Sequence, residues 1–397
     1  MSVLSKPGAP RPRIPDENDF TSRLRSPAVA SRVGLWLGIC FGLAFLTGLY
    51  SHVAQADYPW FPLPTRPVWL YRVTQGVHVA AGAAAVPLLL VKLWSVFPKL
   101  FARPPRERRA LLLHGLERLS IAVLVAAAIF QLATGLANSS QWYPWAFSFR
   151  ATHYAVAWIA VGALLVHIAV KLPVITRALR TDLDDTSQDR PGAVDAREPG
   201  GLTRRGLLRT TWVASGLAVL TTAGASVPLL RRVSVFAVRS GDGPGGVPIN
   251  KTARAAGVTV SALAEGYMLS LSAGDRRLSL TREDLEALPQ HTAVLPIACV
   301  EGWSATGTWT GVRVRDLVAL VDGAPDSAVW VTSLQQDGPF RETRLPGNFV
   351  ADGDTLLALR LDGEPLSLDH GYPCRVIAPN RPGVMQTKWV ADLAVET

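Results

Sequence analysis

Five stretches of this chain are long and uncharged enough to cross a lipid bilayer, and no other feature restricts its fold as much. A crossing needs roughly 20 apolar residues, and the stretches cover 33–50, 73–91, 119–137, 151–170 and 210–230. Backbone groups in lipid have no water to bond, so each stretch is expected to be a helix. Composition agrees, with 49% hydrophobic and 18% charged residues, against about 25% charged in soluble proteins. A length of 397 residues points to two or three folding units and excludes the disordered and fibrous classes. Residues 1–32 are polar and proline-rich, and they read as a disordered cytoplasmic segment rather than a cleaved signal.

The net charge of +9 invites a nucleic-acid partner, but its distribution refutes one. Residues 1–230 carry 24 Lys and Arg against 12 Asp and Glu, whereas residues 231–397 carry 16 against 19. All of the excess therefore lies in the apolar half, as expected of loops that face a cytoplasm. Lys and Arg number six in 1–32, six in 92–115 and eight in 171–209, but two in 51–72 and one in 138–152. This alternation predicts a multi-pass protein of the cell membrane with its N-terminus inside and residues 231–397 extracytoplasmic. The two outer connections also hold the interfacial aromatics Tyr58, Trp60, Phe61, Trp69, Trp142, Tyr143 and Trp145.

Five of the seven histidines fall in or at the ends of the first four spans: His52, His78, His114, His153 and His167. An ionisable residue in a span is costly and marks a functional candidate. His153 and His167 are 14 positions apart, which places them within roughly 40° on one helix face and about 21 Å apart. One helix would then offer a ligand near each membrane surface. His78 is level with His153, and His114 with His167. Neutral imidazoles are good axial ligands for haem iron, and a bis-His site moves electrons without binding oxygen. Interhelical hydrogen bonding is the other use such histidines have. His52, at the membrane edge, fits a quinone site or a plain interfacial role equally. On His153, His167 and the run His78-Val-Ala-Ala-Gly that ends at Lys92, segment 33–175 resembles the bacterial four-helix cytochrome b family. That resemblance implies haem b, one or two groups, and a quinone partner. The chain lacks the histidine that some members carry on the inner half of the first span.

Residues 176–206 are rich in Asp, Pro and Gly and read as a cytoplasmic linker. They end in Thr203-Arg204-Arg205-Gly206-Leu207-Leu208-Arg209, followed by 21 uncharged residues. This is similar to a twin-arginine export signal placed internally before a fifth span at 207–230. Such a signal suits a domain that takes up a cofactor before export.

From residue 231 onward the texture changes to short alternating runs at 268–271, 294–299, 328–334, 355–361, 375–378 and 389–395, with helices at 261–264, 281–287 and 314–321. Turn clusters such as Asp337-Gly-Pro and Asp362-Gly-Glu-Pro separate them, so residues 231–397 are predicted to form an α+β domain. Three cysteines make no disulfide framework, and Cys40 reads as a small hydrophobe in a helix. Two clusters stand out. One is Cys299-Val-Glu301-Gly-Trp303-Ser; the other runs His370-Gly-Tyr-Pro-Cys-Arg375-Val-Ile-Ala-Pro-Asn380 and closes with Gln386-Thr387-Lys388-Trp389. A lone cysteine at a strand end is often simply buried. Together, however, these clusters resemble the sulfite oxidase family of molybdenum enzymes. Cys-Val-Glu-x-Trp-Ser is similar to the periplasmic methionine-sulfoxide-reductase branch, and His-Gly-Tyr-Pro-x-Arg-Val is similar to sulfite oxidase itself.

Carried over by position, the resemblance makes Cys299 the thiolate ligand of a Mo–molybdopterin cofactor, with Glu301 and Trp303 beside it. His370, Arg375, Asn380, Gln386, Thr387, Lys388 and Ser333 would then hold the pterin, Arg through its planar bidentate fork. The family's asparagine-bearing pterin loop is not recognisable, although Asn250-Lys251-Thr252 stands near its place. Arginines that follow the cysteine in sulfite oxidases are replaced by Val300, Glu301 and Gly302, which disfavours a dianion such as sulfite. The sequence thus reads as a multi-domain chain in which an all-α transmembrane bundle precedes a sulfite-oxidase-like α+β domain. Its expected function is molybdenum-dependent oxidoreduction of a small molecule, linking quinone, haem and molybdenum, with reduction of an S- or N-oxide favoured. The alternatives are a sulfite or other small-molecule dehydrogenase feeding quinone, and a haem electron carrier with a docking domain.

Overall fold

The computed structural model describes residues 15–190, 193, 201–237 and 246–396, and parts of the expected N-terminal segment, linker and domain start lie outside them. Among the described residues, four helices are long and apolar enough to cross a membrane: α1 (Pro27–Ala54), α2 (Leu70–Val96, prolonged by a 3-10 stretch to Phe101), α3 (Arg108–Ser139) and α4 (Phe149–Arg180). Each contains one of the first four expected spans and runs past it, because a helix continues into water wherever nothing breaks it. Their outward side chains, Leu43, Leu46, Leu90, Leu119, Leu165 and Val170 among them, are apolar and exposed, as suits a lipid solvent.

The fifth span differs from expectation. Helix α5 covers Arg204–Thr222 and keeps three arginines and four threonines in 19 residues, which lowers its hydropathy. Beyond Thr222 the chain turns through two 3-10 segments, Ala223–Ala225 and Pro228–Leu230, rather than continuing the helix to 230. The linker is also shorter than expected, since α4 runs to Arg180 and α5 begins at Arg204.

The chain divides into two compact units. The first comprises residues up to 39, then 85–128 and 159–215. Here the Arg204 guanidinium is buried and donates to the carbonyls of Arg23 (3.0 Å), Leu183 (3.0 Å) and Asp185 (2.9 Å), and it pairs with Asp189. Arg205 is exposed and reaches Asp184 at 3.1 Å. The Lys92 ammonium donates to the carbonyl of Ala30 at 2.9 Å.

The second unit comprises residues 40–84, 129–158 and 216–397. The C-terminal part of α1, the N-terminal part of α2 and the facing parts of α3 and α4 pack here in the same unit as the C-terminal domain. That domain has two five-stranded sheets. One runs β2 (Arg276–Leu280), β1 (Leu269–Ala273), β10 (Val390–Val395), β5 (Val329–Ser333) and β6 (Glu342–Leu345), with β1 and β10 parallel and the other pairs antiparallel. The other runs β3 (His291–Ala298), β4 (Ser304–Arg313), β7 (Leu356–Leu361) and β8 (Glu364–Pro365), with β9 (Arg375–Ile377) also pairing with β7. Short helices α6 (Thr259–Ala262), α7 (Arg282–Ala287), α8 (Val314–Ala319) and α9 (Gly347–Ala351) connect them. Thr281 caps α7 through a reciprocal box with Asp284.

Leu269, Leu271, Val331 and Leu393 of the first sheet meet Leu357, Leu359 and Val376 of the second in one core. All six expected strands are present, and β2, β4, β6 and β8 add to them. Strand β4 holds two glycines, a residue depleted in strands, among three threonines, a tryptophan and a valine that suit one. It is nonetheless central, because β3 and β7 pair with it on both sides. Gly311 lies at its bulge opposite β7, where a side-chain methyl would collide with the Leu357 carbonyl and Ala358 Cα. Gly311→Ala is therefore expected to destabilise the domain by about 1–3 kcal/mol or more, read as a lowered midpoint in thermal unfolding of the full chain. An unchanged midpoint would contradict this packing.

Candidate functional site

Strand β3 delivers the chain to Cys299, whose N–H donates to the Trp303 carbonyl (2.9 Å) while its own carbonyl accepts from Gly302 (3.1 Å). This tight loop needs Gly302 at φ +80° and leaves Cys299 1% exposed. Burial, and then the neighbouring Glu301, push the Cys299 thiol well above its ordinary value. A thiol held there is inert by itself; a metal cation would deprotonate it outright.

Cys299 lines a cavity of about 160 Å³ together with Trp303, Ser333, His370, Arg375, Gln386, Thr387 and Lys388. Four elements place them. Ser333 ends β5, His370 ends a 3-10 turn (Leu368–His370), Arg375 opens β9, and residues 386–388 lead into β10. Arg375 and Lys388 are bridge partners, and the Val376 N–H bonds the Thr387 carbonyl at 2.9 Å, so the two segments lie side by side.

The cavity is cationic and short of anions. Arg375 is 3% exposed and donates to the carbonyls of His370 (3.1 Å) and Gln386 (3.2 Å), and its Nε has no partner. Burial lowers it to about 10. Lys388 donates to the carbonyls of Lys251 (2.5 Å) and Asp369 (3.0 Å) and to Asn250 Oδ1 (3.3 Å). Burial and then Arg375 lower it to about 7. Gln386 Oε1 is likewise buried without a partner. Among the described residues no ion pair includes Arg375 or Lys388. The unsatisfied Arg375 Nε donor beside two cations suits a phosphate-bearing ligand, whereas Gln386 Oε1 is an acceptor awaiting a donor.

His370 has both ring nitrogens engaged by the protein. Nε2 bonds the Val247 carbonyl (2.8 Å), so it carries the proton, and Nδ1 accepts from Ser367 Oγ (2.9 Å). Burial lowers its pKa and keeps it neutral. Ser333 Oγ donates to the Lys388 carbonyl at 2.8 Å, and the Thr387 and Thr343 hydroxyls share a hydrogen at 2.7 Å.

Two expected residues lie elsewhere. Asn380 takes no part in the cavity lining: its Oδ1 accepts from the Tyr71 N–H at the start of α2 (2.6 Å), and its Nδ2 donates to the Pro64 carbonyl (2.6 Å). It acts as a cap for that helix, supplied from far away in sequence. Glu301 accepts from Gln141 Nε2 at 3.2 Å, and burial raises its pKa. Conversely, Asn250, Lys251, Gln335 and Phe340 line the cavity. Asn250 and Lys251 had a sequence signal in their place along the chain. Gln335 and Phe340 had none, since both lie in an irregular loop.

His78 and His153 face each other with ring centroids 6.3 Å apart. His78 Nδ1 lies 2.8 Å from the Ala44 carbonyl, which can only accept, so that nitrogen holds the proton. The Thr134 hydroxyl donates to Phe130 at 2.7 Å and accepts from His153 Nδ1 at 3.1 Å. Both Nε2 lone pairs are thereby left unprotonated. In the first unit, His114 Nε2 is buried without a partner, and no ring contact joins it to His167 among the described residues. Glu117 and Lys171, one turn from each, form an ion pair. His52 stacks on Tyr154 at 3.6 Å.

Comparison with known proteins bears on the C-terminal domain. Residues 256–397 match the oxidoreductase molybdopterin-binding domain family. The chain is similar to mitochondrial sulfite oxidase of Drosophila melanogaster, 30% identical over 33% of this chain and 27% of that protein. It is also similar to the "Uncharacterized oxidoreductase YuiH" of Bacillus subtilis, 35% identical over 30% of this chain and 59% of that one. A third relative is the "Putative protein-methionine-sulfoxide reductase subunit YedZ1" of Azospira oryzae, 34% identical over 29% and 43%. The chain thus spans less than two thirds of each of these relatives. Residues 256–397 are thus similar to a molybdopterin-binding oxidoreductase domain, the kind found in sulfite oxidase.

Removing the Lys388 ammonium should weaken cofactor retention, because a charge-assisted contact contributes about 1.5–3 kcal/mol. Lys388→Ala is expected to lose most of its pterin, measured by the fluorescence of the released, oxidised pterin per mole of protein. Asn380→Ala should keep it, since Asn380 lies outside the cavity. The opposite pattern would mean that the pterin sits against Asn380 instead.

Proposed function

We propose that the chain is a membrane-bound molybdopterin oxidoreductase that passes electrons from the quinol pool through b haem to a Mo–pterin centre, where an S- or N-oxide is reduced. The observation that carries this reading is a buried cysteine in an anion-seeking cavity, within the same compact unit as a facing histidine pair. Cys299 would hold molybdenum as a thiolate. Arg375, Lys388 and Lys251 would hold the pterin phosphate, and His370, already fixed at both nitrogens, would keep the 371–375 turn in place. When bound, the molybdenum cofactor supplies the oxygen-atom transfer chemistry. The overall reaction balances as sulfoxide plus two electrons and two protons giving thioether and water, with quinol giving up two of each.

The histidine geometry supports the haem. Two imidazoles that share one iron, each nitrogen about 2 Å from it, have ring centres about 6 Å apart, and His78 and His153 stand at 6.3 Å. His114 and His167 would hold the second, inner haem. Helix α5 is read as a fifth crossing that carries residues 231–397 to the extracytoplasmic side, in keeping with the arginine-rich connections. A second reading, oxidation of sulfite or another small molecule with electrons passing to quinone, draws on the sulfite oxidase relatives. It is less favoured because Glu301, not an arginine, follows Cys299.

Cys299→Ser should retain pterin and haem and lose turnover of a sulfoxide panel, because an alkoxide matches a thiolate poorly at molybdenum. Retained activity would rule out Cys299 as the ligand. His153→Ala should remove one b haem from reduced-minus-oxidised spectra and leave pterin content unchanged. A full haem complement in that variant would refute the pairing.

A further inference from the structure

The loop that carries Cys299 rests on the end of α3, on the segment after α5 and, through Val79, on the helix that carries His78. Asn138, near the end of α3, donates from Nδ2 to the Val300 carbonyl at 3.0 Å. Ser226, just after α5, donates to the Gly302 carbonyl. Gly302 is closely packed: a Cβ there would stand 3.2 Å from Ser226 Oγ, 3.3 Å from Ser139 Oγ and 3.3 Å from Val79 Cγ2. Val79 is the residue next to His78. Asn138 lies one helical turn from Thr134, whose hydroxyl accepts from His153. His78 therefore connects to the cysteine loop through its neighbour Val79 and one packed contact, and His153 through two hydrogen bonds joined by one turn of α3.

From this arrangement we infer that residues 299–302, seated on Val79, Asn138, Ser139 and Ser226, form the electron-transfer junction between the histidine-held haem and the cysteine-held metal. The inference rests on the function proposed above and adds the residues that couple its two halves. Electron tunnelling weakens steeply when a bonded or packed link is replaced by a gap, so close seating of the loop sets the rate between the centres. Asn138 is a positioning residue here, since it touches neither cofactor.

The test separates chemistry at each centre from transfer between them. Asn138→Leu keeps the side-chain size but removes the bond to Val300; Gly302→Ala adds a methyl at the contact. Asn138→Leu should bind haem and molybdenum at wild-type levels, while the rates of Gly302→Ala, strained at φ +80°, are taken per bound molybdenum. Methionine sulfoxide reduction driven by reduced benzyl viologen, which feeds the metal directly, should be unchanged in Asn138→Leu. Oxidation of pre-reduced haem by methionine sulfoxide, followed by stopped-flow absorbance, should slow severalfold. Hydrogen–deuterium exchange of residues 299–303 should rise in both variants, a readout independent of turnover. Wild-type haem oxidation rates in both variants, with exchange raised, would overturn the inference. Wild-type protein that fails to reduce methionine sulfoxide with the dye would instead overturn the function on which it rests, whatever the variants do.

Discussion

Burying a guanidinium and an ammonium side by side, among carbonyl oxygens and tryptophan rings and without an ion pair among the described residues, is a costly arrangement that an anion would relieve. Arg375 and Lys388 are in this state, and the cavity is organised around them. Lys388 loses so much solvation that its pKa falls to about 7, first through burial and then through Arg375. The Asp369 carboxylate, whose Oδ1 accepts from the Ala253 N–H at 2.7 Å, offsets this only in part. Such a cluster is stable when a polyanion enters. Cofactor binding and folding of this end of the domain are thereby linked: the ligand that completes the chemistry also stabilises the protein.

The same economy of position appears at the histidines. Neither imidazole has its tautomer left to chance: a carbonyl fixes His78 and a threonine hydroxyl fixes His153. A second partner of this sort holds the ring plane as well as the proton. Asn380 extends the pattern to the backbone. It satisfies an N–H at the start of α2, a group that a helix cannot satisfy for itself. The C-terminal domain thus completes a helix of the apolar half, and the Cys299 loop is seated against the same group of helices.

Much of this was legible in the sequence because it depends on short-range patterns. Uninterrupted apolar runs specify helices in lipid, so α1 to α4 were found. Alternating runs between Gly and Asp turns located six strands. Cys299, Arg375 and Lys388 stood out as chemically unusual residues in dense motifs, and the cavity brings all three together. Where the reading failed, the deciding contacts were remote. Strand β4 has its pattern interrupted by Gly307 and Gly311, and its place comes from β3 and β7. The last expected span was cut short at Thr222, because Ser234 and Phe236 draw the following chain back through bonds to Leu220 and Thr221.

The sequence by itself determined the division into an apolar helical half and an α+β half, together with the chemical inventory of the site. Only the tertiary structure decided which members of that inventory meet. Asn380 lies eight residues before Lys388, yet it turns at φ 53° to cap α2 rather than line the cavity. Asn250 and Lys251, more than a hundred residues from Lys388, close around its ammonium instead. The reason is physical. Helices and strands arise from local backbone bonding and hydrophobic periodicity, which neighbouring residues encode. A cavity arises from the satisfaction of buried polar groups by whichever partners the packed chain brings within 3 Å.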